Sequence, residues 1–134
     1  MAADFETEVR RIGSHHAAKR GGAKLVRASD GHVLLDQLSL ATTFLRRLRG
    51  LQLLPRLDPA HGLLLCPCPS LHTCFMRFPI DVVMLDRNGT VLDIRRNIPP
   101  WRIVLCPPKT RAIIETAPGA LDLPPGEAVR VLET

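Results

Sequence analysis

The sequence predicts a mainly β fold, a single compact β-sandwich or distorted β-barrel with one short helix near residues 42–50. Three observations lead there. From residue 60 onward, short apolar runs alternate with Pro, Gly and Asn, the punctuation of strands and turns. Twelve prolines against nine glycines leave little room for long helices. A length of 134 residues suits one domain and leaves no material for a second full core.

The elements follow in chain order. Residues 1–21 mix charge, alanine, His15, His16 and a Gly21-Gly22 pair without a sustained period, and are read as a flexible basic arm ahead of one mainly β domain at 22–134. Lys24 to Ala28 and His32 to Leu40, joined by Asp30-Gly31, form a first hairpin. Phe44, Leu45, Leu48 and Leu51 recur at helical spacing, with Thr42 or Thr43 to cap the start and Gly50 near the end. Strands are expected at His61 to Cys66, Leu71 to Phe78 and Ile80 to Asp86, with Pro79 marking a bend. Val82 to Leu85, Asp86-Arg87-Asn88-Gly89 and Thr90 to Ile94 make the strongest hairpin signal. Pro99, Pro100, Pro107 and Pro108 keep Ile98 to Lys109 extended, with Ile103 to Leu105 pairing briefly. Arg111 to Thr116 and Ala128 to Leu132 close the sheet.

Composition narrows the functional classes. Hydrophobic residues at 46% and charged residues at 23% describe a globular chain. A net charge of +5 assists contact with anionic partners, yet aromatics at 4% leave too few platforms for stacking single-stranded nucleic acid, so that class is disfavoured. The opening residues carry charge where a secretory signal needs an apolar run, and no stretch is long enough to span a membrane, which predicts a cytoplasmic protein.

Two side-chain constellations merit a chemical test. Cys66, Cys68, His72 and Cys74 are candidate ligand types for a metal, and if residues 71–78 form a strand, His72, Cys74 and Met76 share one face as a soft set suited to copper. At about 3.3 Å of rise per residue, one ion reaches only a neighbouring pair among His72, Cys74 and Met76. The prolines after Cys66 and Cys68 oppose a zinc knuckle, so no metal or cofactor is assigned. Arg77, Asp81 and Glu115 form the second set: both acids interrupt apolar strand sequence, and a buried acid needs a partner such as Arg77. Trp101, after Pro99-Pro100, can wall a pocket beside them.

The runs ATTFLRRLRGL, HGLLL, FMRFPIDVVMLDRNGTVLDI and RAIIETAPG, in that order, resemble the bacterial and archaeal family called domain of unknown function 192, over about Leu38 to Leu132. The resemblance implies a compact, mainly β domain with a short helix and implies no reaction. By the same resemblance, Phe75, Met76, Arg77, Pro79, Ile80 and Asp81 stand on the central motif, and Glu115 on the acid after the later strand. Many members have a longer turn before the proline and an extra helical segment where this chain has Pro118 to Gly126, and many look exported.

Three functions are therefore expected, in order. The first is a non-catalytic ligand-binding or accessory domain holding a small anionic or polar molecule beside Arg77, Asp81, Glu115 and Trp101. The second is a hydrolase-like or other acid/base enzyme using Asp81 and Glu115. The third is a protein-interaction module docking through a sheet edge or the Arg46 to Arg49 helix face.

Overall fold

The computed structural model describes residues 4–15, 22–42, 58–68, 70–73 and 76–134. The protein is mostly β. A helix, α1 (Phe5–His15), precedes nine strands: β1 (Ala23–Arg27), β2 (Val33–Ala41), β3 (His61–Leu65), β4 (Ser70–His72), β5 (Ile80–Leu85), β6 (Val91–Ile98), β7 (Ile103–Leu105), β8 (Ala112–Thr116) and β9 (Val129–Glu133). Seven strands form one sheet in the order β6-β5-β8-β3-β2-β1-β9, and β4 pairs with β7 in a separate two-stranded ribbon.

The sheet is antiparallel except where β2 runs parallel to β3, in a register that sets Leu38 beside Gly62 and Leu40 beside Leu64. It curls until its edge strands approach: Thr90 bridges Ala128, and the Val91 N–H donates to the Glu127 carbonyl at 2.8 Å. The seven strands thus make one open sheet rolled nearly shut, a distorted barrel that does not close.

Both hairpins form where turn chemistry places them. Asp30 Oδ1 accepts the His32 N–H at 2.9 Å, and Gly31 takes φ +73°. In the β5–β6 turn, the Gly89 N–H donates to the Asp86 carbonyl at 3.1 Å. Gly89 is left-handed at φ +81° while Asn88 is not, so this is a type I turn followed by a left-handed glycine, in place of a tight Asn-Gly turn.

Alternation along the strands divides the apolar residues between two faces. The inner face gathers residues from both edges, including Val83, Leu85, Val91, Ile114, Val129 and Val131, as a sheet rolled on itself must. The outer face, centred on β3, β5 and β8, buries Leu63, Ile80, Val82, Met84 and Ile113 beneath Val104 of the ribbon and Met76.

Several expectations change. The segment read as a flexible arm contains α1: Phe5, Val9 and Ile12 are spaced i, i+4, i+7 and are buried in the inner cluster, which is an amphipathic helix on a small scale. Asp4 caps it by accepting the Thr7 N–H at 2.8 Å. The strand expected over Leu71 to Phe78 is limited, among the described residues, to β4, because Met76 N–H turns back onto the Thr73 carbonyl at 3.2 Å. The helix expected near 42–50, with its Arg46 to Arg49 face, lies outside the described residues from 43 onward.

Candidate functional site

Asp81 enters β5 directly after the Pro79 bend and is 2% exposed. A carboxylate that deep needs donors, and three reach it. The Asn97 N–H donates to Oδ1 at 2.8 Å, while the Gly119 N–H at 2.8 Å and Arg96 Nη1 at 3.2 Å donate to Oδ2. Asn97 at φ 52° and Gly119 at φ +79° are both left-handed, the backbone geometry that turns their amides inward. Arg96 also donates to the Leu121 carbonyl at 3.2 Å and faces exposed Asp122 at 3.7 Å. Asp81 thus ties the end of β6 and the 117–121 loop to β5.

The expected partner Arg77 is exposed and makes no ion pair with a described residue. The cation is Arg96, half-exposed and on the neighbouring strand, which sequence reading missed. Its only advance signal is a position opposite the hairpin that pairs β6 with β5.

Glu115, 4% exposed, is set apart by register. Across β5 and β8, Asp81 stands beside Thr116 and Val82 beside Glu115. Directly opposed residues share a face, so Asp81 points inward with Val83, and Glu115 points outward with Ile113 and Leu63. The expected grouping of Arg77, Asp81, Glu115 and Trp101 is not one pocket.

The thiols separate in the same manner. Cys66 lies in the inner cluster and Cys68 in the outer, while Cys106 is half-buried beside the outer cluster, where burial pushes its thiol pKa up. Met76 is buried as a core residue. Cys74 and the His72 side chain lie outside the described residues, and among those described no three His, Cys, Asp or Glu gather as metal ligands.

Trp101 belongs to a different feature. Thr73, 1% exposed, clamps the proline loop: its hydroxyl donates to the Pro99 carbonyl at 2.7 Å and accepts the Arg102 N–H at 2.8 Å. The Thr73 N–H donates to the Arg102 carbonyl at 2.8 Å, and the Thr73 carbonyl accepts the Trp101 N–H at 3.0 Å. These bonds hold Trp101 at φ 65°, a strained conformation for a bulky side chain. Trp101 is 60% exposed, and Ile103 and Leu105 just beyond it are 78% and 75% exposed.

On β7, alternation sends Val104 into the outer core and Ile103 and Leu105 to the opposite face. Ile103 and Leu105 were expected only as a brief strand; their i, i+2 spacing around buried Val104 was the available clue. The surrounding sequence is basic. Between Ile94 and Ile114 the chain carries Arg95, Arg96, Arg102, Lys109 and Arg111 and no acid. Arg95 Nη2 reaches the Leu105 carbonyl at 3.4 Å while its Nε pairs with Asp93 at 2.8 Å. Arg102 and Lys109 are exposed and make no ion pair with a described residue.

The domain of unknown function 192 (DUF192) family, described as an uncharacterised ACR, matches residues 25–131. The chain belongs to this family. A UPF0127 protein of Thermococcus sibiricus is 35% identical over 103 residues, which are 73% of this chain and 66% of that protein. A second UPF0127 protein, of Thermococcus gammatolerans, is 31% identical over 114 residues, 78% of this chain and 72% of its own length. A crystal structure of a protein of unknown function from Novosphingobium aromaticivorans superposes with TM-score 0.68 at 21% identity, covering 81% of this chain and 82% of that one. One from Sinorhizobium meliloti, described as a candidate transcription regulator, superposes with TM-score 0.69 at 23% identity, covering 81% and 91%. At those identities the two structures show a shared fold alone. No described helix is long and apolar enough to cross a membrane.

Proposed function

We propose that this DUF192 chain is a non-catalytic docking module that binds a short segment of another polypeptide on the outer face of the β4–β7 ribbon. The observation that carries the reading is the pair Ile103 and Leu105, 78% and 75% exposed on one face of a strand whose other face seals the core. Single exposed apolar residues are ordinary, but several large ones together leave surface that a partner removes from water at about 25 cal/mol per Å². Trp101 adds a side chain of the kind that dominates binding energy, and the Thr73 clamp fixes its backbone before any partner arrives. Three such side chains fall far short of the roughly 20–30 residues a side that a standard globular interface uses, which favours a short segment.

The ligand pocket and the acid/base pair fare less well. Asp81 already accepts three donors, and Glu115 faces the other side of the sheet, so the two carboxyl groups do not converge on one molecule.

The reading is tested by selecting a displayed library of random short peptides on the intact protein, then measuring the recovered peptides on an Ile103→Asp, Leu105→Asp double variant. Both side chains are exposed, so circular dichroism should show an unchanged fold. A loss of binding of about tenfold or more supports docking on the ribbon. Equal binding to both proteins, or a library that yields no binder, overturns it.

A further inference from the structure

The ribbon's surroundings specify what kind of segment it takes. We infer that the occupant is an extended, acidic segment presenting apolar side chains at alternate positions, an inference that rests on the docking reading above.

The spacing argues for an extended chain. Ile103 and Leu105 are two residues apart on a strand, about 6.6 Å at 3.3 Å per residue, which is the repeat of alternate side chains along another extended segment.

Charge argues for acidity. Arg102, exposed and with no described ion-pair partner, directly precedes Ile103, and Lys109 follows Leu105 in the chain beyond Pro107-Pro108. Arg95 sits against the Leu105 carbonyl while pairing with Asp93; Arg96 and Arg111 are taken up by Asp81 and Glu6. Carboxylates on the incoming segment would meet these cations at the rim, where charge governs encounter and choice of partner more than tightness. A second copy of the chain is disfavoured by the same charges. A two-fold contact sets a patch against itself, bringing Arg102 of one copy towards that of the other.

The experiment uses the full chain, whose single tryptophan, Trp101, reports from the site itself. Recovered peptides lacking tryptophan are synthesised in their native form and with every Asp and Glu replaced by Lys, then titrated against the protein while its emission is followed. The selected peptides should be net acidic, shift Trp101 emission to the blue, and bind about tenfold more tightly than their lysine forms. An Arg102→Glu, Lys109→Glu variant should reverse that order, and added salt should narrow it. Neutral or basic selected peptides, or equal affinity for both forms, would overturn the acidic occupant while leaving the docking face standing. Phosphatidylglycerol vesicles that shift Trp101 emission when the peptides do not would replace the polypeptide with a membrane surface and overturn the inference. Sensitivity lost only through Ile103→Asp and Leu105→Asp confirms that the signal comes from the ribbon.

Discussion

Asp81 and Glu115 stand on adjacent antiparallel strands yet face opposite sides of the sheet, because Asp81 is registered with Thr116 and Glu115 with Val82. Both are buried, and each looks from sequence like half of a functional pair. Register assigns Asp81 to the inner face, where it fastens the end of β6 and the 117–121 loop, and Glu115 to the outer face among Leu63 and Ile113.

The Asp81 contacts predict an order of stabilities. Asp81→Ala leaves the Asn97 and Gly119 amides and Arg96 without their shared acceptor and should cost about 3 kcal/mol. Arg96→Ala should cost about 1 kcal/mol, since its side chain is 44% exposed and water compensates. Arg77→Ala should stay within about 0.5 kcal/mol of the parent. Urea unfolding midpoints, with unchanged slope, give the ranking.

Acid should loosen α1. Arg111 donates to both oxygens of Glu6, at 2.9 and 3.2 Å, and those hydrogen bonds hold the Glu6 carboxyl below its ordinary value of 4.5. A depressed folded-state value means the stabilisation is complete above 4.5 and disappears as pH falls through the lower folded value. Glu6→Gln should therefore be less stable than the parent near pH 7, with the gap narrowing as the pH is taken down below 4.5. Urea unfolding above and below that value, with amide exchange of α1, measures it; a gap that persists in acid would show that Arg111 is not its source.

Thr73 is expected to position Trp101. Thr73→Val removes the hydroxyl bonds to the Pro99 carbonyl and Arg102 N–H and should cost about 1–3 kcal/mol. It should also lower the fluorescence anisotropy of Trp101, whereas Thr73→Ser, which keeps the hydroxyl, should restore both. A stability loss with unaltered anisotropy would confine Thr73 to a structural role.

Two turn glycines should respond differently to alanine. Each is left-handed, which costs an L-residue about 1–2 kcal/mol. A Cβ on Gly31 meets nothing within 4 Å, so Gly31→Ala should cost no more than that strain. At Gly89 the Cβ would lie 2.7 Å from the Val129 carbonyl oxygen and 2.8 Å from the Phe5 ring, so Gly89→Ala should cost clearly more. Thermal unfolding of the two variants decides the order.

Local chemistry in the sequence determined the β class, both hairpins, and the brief pairing of Ile103 to Leu105, because turn residues and two-residue alternation act over a few positions. It also held the α1 stripe of Phe5, Val9 and Ile12, short enough to be masked by surrounding charge. The parallel β2–β3 pairing, the choice of Arg96 over Arg77, and the parting of Asp81 from Glu115 were decided only by the tertiary structure. Alternation says which residues of one strand share a side, but a one-residue slip between strands exchanges every side chain from core to surface. Only packing the whole rolled sheet around two apolar faces fixes that slip.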